Sequence, residues 1–437
     1  MNDNYNDRII NDALRMSGYY PLRPMQLWMI DSQFYKLHST MLNQSILWKL
    51  SPEIDLNRLA QAINEILETY DVFRCRLVFH PRTDDICQRF DGEIIPAKIE
   101  KLSDEEFEER KKNLMIPYEL HNKPLYRINL LETPSAKYIY LDMYHSIMDG
   151  TAIILLFMRE MNLRYSGKKI KRDPASYADY ILEDMKVSTE EFEAGAKHWL
   201  DTLDKIDEKN PFDGADLFDE TINEENFDWK KGYLAQPIKN VTRDFFVTTK
   251  SQEHIFFFAA ALLTLAKVSG KKSSIMDYLH IGRYNSFELR LMGAMIEQFP
   301  VYCEFEDGMT AEDLTKTIEE KLKISMTYRK SLGVAYNSEK DICPTFVFQK
   351  KIHETMNNMT VGGYRAEKIE LPENEYSVTE NTLDVEVNQS ADGTYWVEYT
   401  YGTMLYSDDA IKNIAATFDE IVLKLQDKNV LIADILK

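Results

Sequence analysis

The residues best suited to chemistry lie in one stretch, Met143-Tyr144-His145-Ser146-Ile147-Met148-Asp149-Gly150. Histidine titrates nearest neutrality of all side chains, so a positioned imidazole can take up a proton and return it. Asp149, four residues on, can pair with a cation and fix the local backbone. Gly150 leaves room where a Cβ would obstruct a substrate. The pattern is that of an acid–base station. The same residues also admit a structural account, with His145 a hydrogen-bonded core histidine at a strand end and Asp149 a helix N-cap.

Either account needs a strand before the stretch and a helix after it. Lys137 to Asp142 reads as the strand, and Thr151 to Met158 begins an apolar helix that runs to about Tyr165 and stops at Gly167. Along the strand, Ile139, Leu141, Met143 and His145 fall on one face by the period of two, and Tyr138, Tyr140, Asp142 and Tyr144 on the other. Tyr144 is therefore expected to point away from His145.

The neighbouring elements read as mixed α/β. Leu42 to Leu50 is strand-like. Asp55 caps a helix whose stripe is Leu56, Leu59, Ala60, Ile63, Ile66, Leu67 and Tyr70. Val72 to Phe79 reads as a further strand. Asp201 to Lys231, rich in Asp, Glu and Asn, reads as a long exposed connection or poorly packed excursion. Beyond it come a helix over 251–268 closed by Gly270, a strand over 274–281, a helix over 311–326 behind Thr310 and a short strand over 346–349. Leu383–Val387 and Tyr395–Tyr401 face each other across Asp392-Gly393, a hairpin signal. Ser407 opens a last amphipathic helix.

Composition narrows the function classes. A chain of 437 residues exceeds the usual single-core limit, so two lobes are expected. The net charge of −20 argues against a nucleic-acid surface and against an anionic membrane face. Cys75, Cys87, Cys303 and Cys343 are scattered with no Cys-x-x-Cys, so no zinc ribbon, metal set or disulfide framework is read, and a reducing cytoplasm fits. The polar, acidic N-terminus is unlike a signal or transit peptide. The longest apolar run, Ile255 to Leu263, is too short to span a bilayer. There is no Gly-x-Ser-x-Gly elbow, His-Glu-x-x-His, phosphate-binding glycine loop or dinucleotide fingerprint. The basic run Lys168-Lys169-Ile170-Lys171-Arg172 suits a solvated loop, or an acidic carrier or phosphate.

With these residues in view, the sequence resembles the condensation domains of non-ribosomal peptide synthetases, within the chloramphenicol-acetyltransferase-like acyltransferases. That family's His-His-x-x-x-Asp-Gly stands here as Tyr144-His145-Ser146-Ile147-Met148-Asp149-Gly150. Tyr20-Pro21-Leu22-Arg23-Pro24-Met25-Gln26 resembles its opening motif, and Asp71-Val72-Phe73-Arg74 the segment after its first helix. Tyr177-Ala178-Asp179-Tyr180 resembles the opening of its second lobe. Gly282-Arg283 and Gly293 to Pro300 resemble its tunnel floor. Three departures stand out: Tyr144 for the first His, Glu297 for an Asn, and Thr69-Tyr70 for Arg-His.

The resemblance implies two chloramphenicol-acetyltransferase-like α/β lobes in a V shape with a tunnel between them. The N-terminal lobe would span 1–175 and the C-terminal lobe, with floor-loop and latch segments, 176–437. It implies amide formation between a carrier-bound aminoacyl acceptor and an acyl thioester. No cofactor is tightly bound; phosphopantetheine or CoA thioesters are substrates. His145 is the expected base or amine-positioning residue. Asp149 is a structural carboxylate paired with Arg283 or Arg74, and Gly150 makes room for the thioester. Tyr144 and Ser146 support the motif.

About nineteen residues precede the opening motif. If Met1 is the native start, the donor arrives in trans, as acyl-CoA or on an acyl-carrier protein. That favours a starter type using a fatty acyl group, with a peptidyl carrier domain as acceptor partner. The alternatives are a free-standing CoA-dependent O/N-acyltransferase on a small acceptor, and a catalytically silent carrier-binding module. No nucleic acid and no membrane insertion are expected.

Overall fold

The structure is a computed structural model that describes residues 18–168, 170, 174–206, 212–219, 230–336, 344–350, 352–372, 376, 378 and 382–437. The polar N-terminal segment and Cys343 lie outside the described residues, as does most of the basic run, of which Lys168 is exposed. The chain divides into two compact units. One runs to Ser188 and also takes in Ile281–Ile296 and Thr355–Ser377; the other comprises Thr189–His280, Glu297–Glu354 and Val378–Lys437.

The first unit is built on a five-stranded sheet. Its strands lie in the order Glu367–Ile369, Asn43–Leu50, Lys137–Tyr144, Tyr126–Glu132 and Lys98–Lys101, all antiparallel except the last pair. Alternation sorts the side chains as the sequence suggests. Ile46, Trp48 and Leu50 are buried on one face with Ile139, Leu141 and Met143. Leu47, Tyr138 and Tyr140 are buried on the other, packed with Phe107, Leu114 and Leu131. Asp55 caps the helix Leu56–Thr69 by accepting from the Asn57 and Arg58 N–H groups.

Two local expectations change. Val72 does not begin a strand: Asp71–Arg74 forms a 3-10 turn, and the strand starts at Arg76. The Asp71 carboxylate explains the turn. It accepts from the Ser176 hydroxyl and from the Tyr177 and Ala178 N–H groups, at 2.7, 3.0 and 3.1 Å. Those bonds also tie the helix Tyr177–Asp184 to the first unit. The compact unit therefore extends to Ser188, past the division expected at 175/176, and Gly282-Arg283 falls in it as well.

The second unit carries a six-stranded mixed sheet. The order is Lys231–Pro237, Tyr395–Gly402, Leu383–Gln389, Thr345–Gln349, Ser273–His280 and Glu297–Glu304. Its core is the buried helix Glu253–Ser269, ended by Gly270 at φ +64°, with Asp408–Lys424 and Ala311–Thr327 beside it. The hairpin closes where expected, Gly393 N–H donating to Ser390 O.

The described part of 201–231 is not an exposed excursion. The helix Thr189–Leu203 covers its start, and Ile206 and Phe212 are buried in the core. Asp213 is buried and pairs with Lys271 at 2.8 Å. Residues 207–211 and 220–229 lie outside the described residues.

Candidate active site

His145 directly follows the strand Lys137–Tyr144, and its N–H donates to Leu42 O at 2.8 Å. The residue is half-buried. Its Nδ1 is shielded and finds no hydrogen-bond partner in another residue. Burial holds the ring's pKa below the usual 6.5; its own backbone carbonyl and the charge of Asp149 pull weakly the other way. The ring is therefore neutral at pH 7.

Tyr144 is fully buried and packs edge-on against Tyr118, centroids 5.5 Å apart, on the face that holds Tyr140 and Asp142. Asp142 anchors that face. Its carboxylate accepts from Arg127, Asn43 and Ser45 at 2.8, 3.0 and 2.9 Å.

Asp149 is closed to solvent and fills both its oxygens. Oδ1 accepts from Ala152 N–H at 2.7 Å, which caps the following helix. Oδ2 accepts from Arg283 Nη1 and from Met295 N–H, each at 2.7 Å. Arg283, equally closed to solvent, also donates to the carbonyls of Ile281, Leu291 and Gly293 at 3.1, 3.3 and 3.1 Å. So of the two arginines expected for Asp149, Arg283 is its partner. Arg74 instead reaches Gly92 O at 3.4 Å, on the turn created by Asp71.

The arginine's segment is shaped by glycine. Gly282 sits at φ +63°, and a Cβ there would lie 1.5 Å from Met295 O. Gly293 lies against the Tyr177 ring, and Tyr177 Oη donates to Ala294 O at 2.6 Å. Arg23 donates to the same carbonyl at 3.0 Å and to Asp184 at 3.0 Å.

Gly150 has helical φ, −56°, so its role is not backbone freedom. After it the chain forms a π-helix over Thr151–Phe157, with Met158 N–H bonded to Ile153 O, then an α-helix to Tyr165. Ser146 is buried; its Oγ has no partner, while its carbonyl accepts from Gln26 Nε2 at 2.7 Å. Gln44 Nε2 donates to Met148 O at 2.7 Å. The parts played by Gln26 and Gln44 were missed from sequence. The available signal was a polar amide at a buried helix position and another on an otherwise apolar strand face.

The other departures are accommodated locally. Glu297 is buried and pairs with Arg329 at 2.9 Å within the second unit. Tyr70 donates to the buried carboxylate of Glu160, which Arg164 also holds. Cys75, Cys87 and Cys303 are buried free thiols, and burial pushes the last two up to about 11, which leaves them poor nucleophiles. Among the described residues no helix is long and apolar enough to cross a membrane.

Comparison with known proteins gives the family and the fold. A family model described as "Condensation domain" matches residues 16–429. Bacitracin synthase 1 of Bacillus licheniformis is 21% identical over 393 residues, which is 85% of this chain but 7% of that protein. The chain thus spans a small fraction of that curated relative. Among solved structures, the condensation domain of the monacolin K polyketide synthase MokA superposes with a TM-score of 0.75 at 16% identity, covering 95% of this chain and 99% of that one. The starter condensation domain of rhizomide synthetase RzmA gives 0.73 at 15%, covering 95% and 98%. A mutant of that domain has been solved with C8-CoA and Leu-SNAC.

Proposed function

The chain belongs to the condensation-domain family, and from that premise we propose that it N-acylates an aminoacyl thioester on a carrier domain. Condensation domains of non-ribosomal peptide synthetases are acyltransferase-type enzymes that form amide bonds. The proposed donor is a fatty acyl thioester from acyl-CoA or an acyl-carrier protein, as in a starter domain. Fold similarity to the RzmA starter domain, solved in mutant form with an acyl-CoA, supports that choice.

The observation that carries the reading is the state of His145: half-buried, neutral at pH 7, with no other residue bonded to Nδ1. A neutral imidazole keeps one ring nitrogen unprotonated, and that nitrogen is the base in this proposal. The acceptor amine attacks the thioester carbonyl and a C–N bond forms. The unprotonated ring nitrogen of His145 takes the amine proton. The C–S bond breaks as the tetrahedral intermediate collapses, and the proton passes to the departing thiolate. Such a base contributes about 10²–10⁴-fold; holding two reactants together supplies much of the rest. Asp149, its oxygens filled, acts on the turn rather than on the proton. Gly150 N–H, at the start of a helix, faces the developing oxyanion in this proposal.

The test is incubation with a panel of acyl-CoA donors and either an aminoacyl-loaded carrier domain or the free amino acid, read by intact mass spectrometry. Acylation of the loaded carrier alone is expected. Acylation of the free acceptor would replace this reading with a free-standing acyltransferase, and no product with any donor would favour a silent carrier-binding module.

A further inference from the structure

We infer that Gln44, acting with Gln26, is a positioning residue that sets the aim of the His145 ring. The inference rests on the catalytic reading of His145 given above.

The turn from Tyr144 to Asp149 satisfies part of its backbone by itself. Tyr144 O accepts from Ile147 N–H at 3.0 Å and Met148 N–H at 3.4 Å, and Asp149 O accepts from Ile153 N–H at 2.9 Å. Tyr144 N–H and His145 N–H go to Leu125 O and Leu42 O. The carbonyls of Ser146 and Met148 instead receive side-chain amides. Gln26 donates to the first and Gln44 to the second, both at 2.7 Å.

The two donors come from different elements. Gln26 sits on the helix Pro24–Tyr35; its Oε1 accepts from Arg23 N–H at 3.0 Å, which turns its NH₂ toward Ser146. Gln44 sits on the strand Asn43–Leu50, opposite Met143, on the face of Ile46 and Trp48. The turn is thus gripped one and three residues beyond His145, from two sides. With Nδ1 bound to no other residue, the imidazole inherits its direction from that backbone. The Asp149–Arg283 pair fixes the far end of the turn and leaves the Ser146 and Met148 carbonyls to the amides. Releasing Met148 O frees a peptide to rotate, and a misplacement of about 1 Å at a reacting group costs up to about 10²-fold in rate.

The test compares wild type, Gln44→Leu and the isosteric Gln44→Glu in the loaded-carrier assay, with thermal midpoints measured alongside. Gln44→Leu is expected to lower kcat by about 10- to 100-fold with KM for the carrier little changed. A carboxylate cannot donate to Met148 O, whereas a carboxylic acid can. Gln44→Glu should therefore recover kcat relative to wild type as pH falls from about 8 to about 5. Asp149 is common to both proteins, but the ionised carboxylate of Gln44→Glu also raises the His145 pKa, so the ratio is corrected with the His145 titration of each protein followed by ¹⁵N NMR. Wild-type kcat in Gln44→Leu overturns the inference. So does an equal loss in both variants at every pH accompanied by lowered thermal midpoints. If wild type itself makes no amide, the proposed function fails instead. The inference is then read from the ¹⁵N-detected titration of the His145 imidazole, which Gln44→Leu should shift and which, unshifted, overturns it.

Discussion

Asp149 Oδ2 and Arg283 Nη1 meet at 2.7 Å with both side chains closed to solvent, joining residues 134 apart in the chain. Breaking one half of such a pair strands the other charge where water cannot reach it. Asp149→Ala is expected to cost about 3–5 kcal/mol, and Asp149→Ala/Arg283→Leu less than the sum of the two single changes. Urea denaturation of the three variants checks this; additive losses would mean the two side chains are not coupled.

His145→Ala should leave the thermal midpoint near wild type, because the ring is half-buried and Nδ1 gives up no bond to another residue. Amide formation should drop by about 10²–10⁴-fold. Carrier-dependent turnover at the wild-type rate would remove His145 from the chemistry.

The pH profile follows from the direction of the His145 shift. Burial lowers its pKa below 6.5, and the neutral ring is the base in the proposed mechanism. Once corrected for protonation of the acceptor's α-amine, which titrates at about 7.7 by itself, kcat/KM should lose activity to the ring only below pH 6.5, as the imidazole protonates in the free enzyme. A second acid limb above 6.5, left after that correction and absent from His145→Ala, would contradict a ring controlled by burial.

Tyr144 is expected to matter to the fold and not to turnover. Tyr144→Ala removes a fully buried ring packed on Tyr118 and should cost about 3–5 kcal/mol. Tyr144→Phe keeps the ring and should leave kcat unchanged in a steady-state assay. A large kcat loss in Tyr144→Phe with an intact thermal midpoint would give the hydroxyl a part in the reaction.

Gly282→Ala and Gly270→Ala form a matched pair. Both glycines have left-handed φ, +63° and +64°, yet a Cβ at Gly282 meets Met295 O at 1.5 Å while one at Gly270 meets nothing within 4 Å. Gly270→Ala should cost only the strain of the left-handed backbone, about 1–2 kcal/mol. Gly282→Ala must also displace Met295, whose N–H bonds Asp149, so thermal midpoint and activity should fall together.

What was legible in the sequence was local. The alternation of Tyr138 to Tyr144, the caps at Asp55, Thr310 and Ser407, and the stops at Gly167 and Gly270 depend on neighbours within a turn or two. The partner of Asp149 is not local. Arg74 and Arg283 are equal on paper, and distance alone separates them. The 3-10 turn at Val72 was likewise hidden, because its cause is Asp71 reaching Ser176, 105 residues on. Gln26 stood in a recognised motif without a stated task, and Gln44 carried no motif. Their roles lie in carbonyls whose need for a donor appears only once the turn is folded.

The first unit is assembled from three stretches of chain, and the cation of Asp149 arrives on the second of them. Chimaeras spliced within this chain inherit that discontinuity. A crossover at residue 188 would join the histidine turn of one parent to the Gly282–Met295 loop of another, leaving a buried carboxylate to accept an arginine and a backbone amide shaped for a different neighbour. Exchanges that carry Ile281–Ile296 along with the N-terminal stretch keep that fit within one lineage.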